Sequence, residues 1–285
     1  MSDLKSAVWY ITHVCNNKCP YCHFVQDPES APIEPFIDSA RWVEAWNKLK
    51  PERLDITGGE PFLQPKFFDL LNGLDSSIKI AITTSLQQIP SENSYALFGQ
   101  RISPEKVDTM TLSYHPTMQD WDDWKGKALW LKNRGFYLTC NFVGFPEQEW
   151  LIEEIKQRCA DMGIRFHLDP YYPPSKIPYT PNKEEKQNLM RFTEKDRTLT
   201  LNEADVPHKP CYCDAGKNHI QVNPRGDAFR CGTLSDTEGG KMGNILDPDF
   251  RLYTDEEITK YPCEIPWRCQ SCDRDKTQKS WRFLE

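Results

Sequence analysis

Three cysteines within eight residues, Cys15, Cys19 and Cys22 in "CNNKCPYC", constrain this chain more than any other stretch. A structural zinc site closes on four ligands, and three thiolates leave it one short. His23 sits next to Cys22, and adjacent residues seldom both reach one tetrahedral ion without strain. Distant Cys140 is the other candidate. A ferredoxin-type cluster takes four local cysteines, and "CNNKCP" copies only the end of that pattern. The three sulfurs therefore read as an incomplete site. On a cubane cluster, one iron would remain open to something that is not protein.

The compartment sharpens this reading. The opening "MSDLKSAVWY" lacks the basic and apolar regions of a signal peptide, and no apolar run nears the roughly 18 residues of a membrane span. A cytoplasmic protein is expected, with no membrane partner. Thiols stay reduced there, so eleven cysteines point to metal or redox chemistry rather than disulfides, and an odd number leaves no complete disulfide set. The net charge of −7 argues against a broad nucleic-acid-binding surface.

The first 170 residues alternate β-rich runs with helical patterns. Strands are expected at Ala7–Thr12, Arg53–Thr57, Ile78–Thr84, Thr109–Tyr114, Phe136–Val143 and Ile164–Leu168. Between them, Ile37, Ala40, Val43, Trp46 and Leu49 suggest one apolar helix face. Asp120–Lys132, followed by Gly135, suggests a second helix, and Glu147–Met162, between Pro146 and Gly163, a third. Alternating βα units imply a parallel sheet with right-handed crossovers. Functional loops then follow the C-terminal ends of the strands. The cysteine loop follows strand one and "TGGEP", Thr57–Pro61, follows strand two, so both fall at one mouth. After Asp169, "PYYPPSKIPYTP" breaks the pattern. A short helix is expected near Asn182–Phe192. The expected organisation is a core at 1–170, a linker or insert at 171–209 and a small cysteine-bearing domain at 210–285.

The C-x3-C-x2-C motif with Tyr21 before its last cysteine, and Gly58-Gly59-Glu60-Pro61 after the next strand, resembles the radical S-adenosylmethionine (SAM) superfamily. The resemblance implies an α/β fold, an open (β/α)6 partial TIM barrel. It implies a [4Fe–4S] cluster on Cys15, Cys19 and Cys22, with the amino and carboxylate groups of SAM on the fourth iron. One-electron reduction then splits the sulfonium C–S bond to methionine and a 5′-deoxyadenosyl radical, with the reducing electron from a flavodoxin- or ferredoxin-type partner. Tyr21 belongs to this cofactor-binding motif. The Gly58–Gly59 edge, with Glu60, is implied to meet the methionyl amino group. Thr84 and Ser85 after strand three, and Ser113 on strand four, stand where relatives hold the carboxylate or ribose. Each of these hydroxyls could instead cap a helix.

A second cysteine set follows. "NPRG", Asn223–Gly226, reads as a type I turn between hairpin arms "HIQV" and "DAFRC". The spacing Cys213-x12-Gly226-x4-Cys231, then Cys269-x2-Cys272, resembles the twitch extension of radical SAM enzymes, a shortened SPASM domain. It implies an auxiliary [4Fe–4S] cluster on Cys213, Cys231, Cys269 and Cys272, and leaves Cys211 and Cys263 over. A structural zinc site on the same four thiols is the plainer alternative. Cys140 and Cys159 read as core packing.

Substrate contacts are expected at the strand ends: Tyr114, His115, Asn141, His167, Asp169 and Tyr171. His115 or His167 would suit a general base near neutral pH. Trp121 and Trp124, at helical spacing, read as packing, and the charges of Lys183–Lys186 as a solvated helix face. The short lead into the first strand leaves no space for a preceding peptide-recognition domain. The expectation is therefore an oxidoreductase acting on a small polar substrate such as a sugar or cyclitol, with the auxiliary cluster accepting an electron. A peptide-modifying maturase is the alternative, and a non-catalytic electron-transfer or zinc-binding protein the alternative of another class.

Overall fold

The computed structural model describes residues 4–22, 37–87, 94–170, 209–235, 237–266, 269 and 282–284. The expected helix near 182–192, the segment 171–208, Tyr171 and Cys272 lie outside the described residues.

Six parallel strands form in sequence order: β1 (Ser6–Thr12), β2 (Arg53–Gly58), β3 (Lys79–Thr84), β4 (Val107–Tyr114), β5 (Leu138–Gly144) and β6 (Arg165–Pro170). Each falls on an expected β-rich run, shifted by at most two residues at an end. The helices between them are α1 (Ser39–Leu49), α2 (Phe67–Gly73), α3 (Tyr95–Arg101), α4 (Trp121–Lys132) and α5 (Ile152–Asp161). Asp38 caps α1 and Asp120 caps α4 through side-chain oxygens that accept N–H groups of the first turn. The third helical pattern opens as a 3₁₀ segment, Pro146–Leu151, before α5 begins. Gly163, at φ 61°, follows its end.

The buried face of α1 is Trp42, Ala45, Trp46 and Leu49; of the apolar face expected from the sequence, Ile37, Trp46 and Leu49 are buried and Val43 packs against the core, while Ala40 is exposed. The reason is Trp9 on β1. Its ring lies 4.7 Å from Trp42 and 5.5 Å from Trp46, so two indoles outcompete one methyl for the sheet. A second knot of rings, Phe62, Phe67, Phe68, Phe98 and Phe136, packs α2 and α3 onto the sheet. Cys140 and Cys159 are buried in this core, as expected. Trp121 and Trp124 stack on each other at 5.1 Å against Tyr114.

The C-terminal segment adds β7 (Cys211–Tyr212), β8 (His219–Val222), β9 (Asp227–Phe229), β10 (Lys241–Asn244), α6 (Asp255–Lys260) and β11 (Arg282–Phe283). The hairpin turns as expected. Gly226 N–H donates to Asn223 O, and Asn223 Oδ1 accepts from the N–H of Arg225 and Asp227. Its attachment is not visible in the sequence. β8 pairs parallel with β1, Ser6 opposite His219 through Trp9 opposite Val222, so β10-β9-β8-β1-β2-β3-β4-β5-β6 form one open sheet. β7 and β11 form a separate pair. Among the described residues no helix is long and apolar enough to cross a membrane.

Because Trp46 fills the space under Trp9, Trp46→Ala is expected to cost about 3–5 kcal/mol. Equilibrium urea unfolding checks this. Exposed Trp150 replaced by alanine should shift the midpoint far less.

Candidate functional site

The cysteine loop leaves β1 and is sewn to the end of β2. Gly59 N–H donates to Thr12 O at 2.7 Å, and Glu60 N–H donates to Val14 O at 2.9 Å. This approach excludes side chains. A Cβ on Gly58 would stand 2.2 Å from Thr12 O, and one on Gly59 would stand 2.1 Å from Val14 O. Gly58 also holds φ 132°, a conformation open to glycine. The two glycines thus bring backbone against backbone immediately before Cys15.

Glu60 is 1% exposed, and its carboxylate is fully engaged. Oε1 accepts from Thr84 Oγ1 at 2.6 Å and Phe62 N–H at 3.2 Å; Oε2 accepts from the N–H and Oγ of Ser85, both at 2.9 Å. Burial pushes this carboxyl above its usual range despite the four donors. Asn17 Nδ2 donates to Ser85 Oγ at 2.9 Å, tying the brace to the cysteine loop. Glu60, Thr84 and Ser85, expected from the sequence to meet different parts of one ligand, bond one another here. They hold the loop.

The loop turns on itself, Cys22 N–H donating to Cys19 O at 3.1 Å, and Asn17 N–H reaches Cys15 Sγ at 3.4 Å. Burial and the neighbouring thiols push Cys19 up to about 12. Burial likewise raises Cys15, with Glu60 and Cys22 adding to it. The three sulfurs sit close enough to resist sharing negative charge, which is the situation a cationic centre relieves. Among the described residues no three His, Cys, Asp or Glu side chains already grip a single point as a metal site. The donor set nevertheless suits an iron–sulfur cluster: clustered, half-buried thiols, none of the described cysteines in a disulfide.

Tyr21 OH lies 2.8 Å from His115 Nδ1, and its ring packs 5.1 Å from Phe145. Burial holds the His115 imidazole down at about 4, so it is a neutral hydrogen-bonding group at pH 7. Ser113, Asn141 and His167 form one lateral row across β4, β5 and β6. Asp169 joins them, accepting from Asn141 Nδ2 at 2.8 Å and lying 2.9 Å from His167 Nε2. Among the described residues Asn141 Oδ1 is buried without a hydrogen-bond partner, an acceptor suited to a ligand hydroxyl or N–H.

The second thiol group brings in the two cysteines that the spacing left over, beside Cys213 and Cys231. Cys211, Cys213, Cys231 and Cys263 pack in one buried cluster with Ala215 and Leu234. Cys211 and Cys263, left over by the sequence reading, face each other across a bridge with both N–H···O bonds at 2.8 Å. Their shared side-chain hydrogen bond raises Cys211 and brings Cys263 down to about 7. Cys269 is close enough to act on Cys211 electrostatically. The "CYC" alternation, which puts Cys211 and Cys213 on one strand face, was the available signal.

Two measurements check this geometry. Gly59→Ala should displace the Cys15 loop and lower the iron held by reconstituted protein, while circular dichroism stays native. For His115, folding drops the imidazole from 6.5 to about 4, so the unfolded chain takes up the proton first. Stability should fall as pH drops through that window, and urea unfolding of His115→Asn should show a smaller fall.

The sequence model of the Radical SAM superfamily matches residues 9–159, more than half of the chain. The antilisterial bacteriocin subtilosin biosynthesis protein AlbA of Bacillus subtilis (strain 168) is 22% identical over 300 residues, covering 95% of this chain. This chain spans 64% of that relative's length. Among solved structures, Streptococcus suis SuiB superposes with a TM-score of 0.62 at 18% identity, over 86% of this chain and 64% of SuiB. SuiB bound to its precursor peptide SuiA gives 0.61 at 17% identity, over 94% of this chain and 71% of that one. These likenesses carry the fold, an open, mostly parallel α/β sheet. Together with the cysteine loop clamped to its glycine edge, the family match makes this chain a member of the radical SAM superfamily, an enzyme family that uses a [4Fe–4S] cluster and SAM.

Proposed function

We propose that this enzyme modifies a peptide substrate by radical chemistry, with Cys15, Cys19 and Cys22 holding the SAM-binding cluster. The observation that carries the proposal is the three-thiol loop fixed to Gly59 and Glu60 at the barrel mouth. When bound, the cluster and SAM supply one-electron cleavage of a sulfonium bond and removal of a substrate hydrogen atom. The protein contributes placement. The Gly58–Gly59 backbone offers close approach to the methionyl end, with Glu60, Thr84 and Ser85 bracing it from behind. Asn141 Oδ1 and Ser113 offer hydrogen bonds from the adjoining strands β5 and β4, with the His167–Asp169 pair beside them.

The substrate class moves from the sugar or cyclitol expected from sequence to a peptide. AlbA is named for bacteriocin biosynthesis, and SuiB is seen with a precursor peptide. The buried group of Cys211, Cys213, Cys231 and Cys263, with Cys269 close to Cys211, supports an auxiliary [4Fe–4S] cluster of the twitch type within the C-terminal region 210–285, for which Cys213, Cys231, Cys269 and Cys272 are the proposed ligands. A flavodoxin- or ferredoxin-type reductant completes the scheme.

Anaerobic reconstitution should give about eight irons per chain, and Cys15→Ala/Cys19→Ala/Cys22→Ala about four, with no 5′-deoxyadenosine formed from SAM under dithionite. Continued cleavage in that variant would defeat the assignment. Neighbouring genes should encode a short precursor peptide whose mass changes on co-expression. An unchanged peptide, with turnover of a sugar alcohol instead, would restore the small-substrate reading.

A further inference from the structure

We infer that Arg230 is an electrostatic positioning residue for the second thiol site, a fixed buried cation that raises the reduction potential of the cluster held there. This rests on the auxiliary-cluster reading above. Arg230 is 1% exposed. Among the described residues its guanidinium donates to main-chain carbonyls alone: Nε to Ala215 O at 2.8 Å, Nη2 to Cys213 O at 3.0 Å and Nη1 to Tyr261 O. The ring of Tyr253 lies 5.9 Å from its Cζ. Among the described residues no carboxylate forms an ion pair with it; Asp214, next to Cys213 in sequence, is paired to Arg282.

Carbonyl dipoles solvate a guanidinium, but they do not neutralise it. Arginine cannot escape by losing its proton, so a buried one requires an anion or a strong reason to do without. The chemistry around it that can become anionic is sulfur. Arg230 immediately precedes Cys231 and donates to the carbonyl of Cys213, two cysteines of the buried thiol cluster. An iron–sulfur core on four thiolates is net negative, and accepting one electron adds one more negative charge. A fixed cation favours that reduced state, and charge beside a cluster is one of the levers that sets its potential. A residue needed only to staple three carbonyls would not have to carry charge into a sealed site.

The test is an EPR-monitored dithionite titration of the full-length reconstituted chain as wild type, Arg230→Lys and Arg230→Gln, with iron and sulfide counted first. The Cys15→Ala/Cys19→Ala/Cys22→Ala background identifies the second cluster's signal. The expected result is a midpoint shifted to more negative potential in Arg230→Gln, returning toward wild type in Arg230→Lys, while the first cluster's midpoint stays put. A fully loaded Arg230→Gln with an unmoved midpoint overturns the inference and leaves the auxiliary cluster standing. Wild type holding only about four irons defeats the auxiliary-cluster reading itself, and the inference with it. If Arg230→Gln does not load its second cluster, loading in Arg230→Lys supports the need for charge. Failure of both variants to load overturns it in favour of the carbonyl staple.

Discussion

Two main-chain hydrogen bonds, Gly59 N–H to Thr12 O and Glu60 N–H to Val14 O, fix the geometry on which the chemistry rests. They extend the β1–β2 pairing past its last regular residue and carry the first cysteine to the glycine edge. Without Cβ atoms at 58 and 59 the two backbones meet; with them they cannot. Everything polar behind that seam is arranged to keep it rigid, and the buried Glu60 carboxylate with its four donors is the brace. A loop that must hold three sulfurs for an incomplete cluster needs this support, because the cluster's missing ligand cannot help to organise it.

The sheet places the two thiol groups at opposite ends of one strand. Cys15, Cys19 and Cys22 follow the C-terminal end of β1. β8 starts beside Ser6 and β9 runs back alongside it, so Cys213 and Cys231, just before and just after the hairpin, lie toward the N-terminal end. Ser6–Thr12 spans roughly 20 Å at ordinary strand rise. The row Ser113, Asn141 and His167 lies about level with Thr12, at the cysteine-loop end of β1. The parallel attachment of β8 to β1 makes the separation of the two thiol groups a property of one sheet.

The six core strands were legible because fully buried parallel strands are dense in Val, Ile, Leu, Thr and aromatics, and the cysteine and glycine motifs were legible because their chemistry is local in sequence. The hairpin turn was legible from "NPRG" for the same reason. What depended on distant partners was not. The face that α1 buries was set by Trp9, some thirty residues earlier. The docking of β8 on β1 and the bridge between Cys211 and Cys263 join residues that no short pattern connects. Glu60, Thr84 and Ser85 were each legible at a strand end, but whether their polar atoms meet a ligand or one another is a matter of side-chain direction, which spacing does not carry.

Three cysteines leave one iron of the first cluster without a protein sulfur. Mössbauer spectroscopy of the ⁵⁷Fe-labelled chain, reconstituted in the Cys213→Ala/Cys231→Ala background and compared with and without SAM, tests that directly. One iron in four should change its isomer shift when SAM is added, as it gains nitrogen and oxygen ligands. Four irons that respond alike, or none that responds, would show the corner already closed and would contradict the assignment.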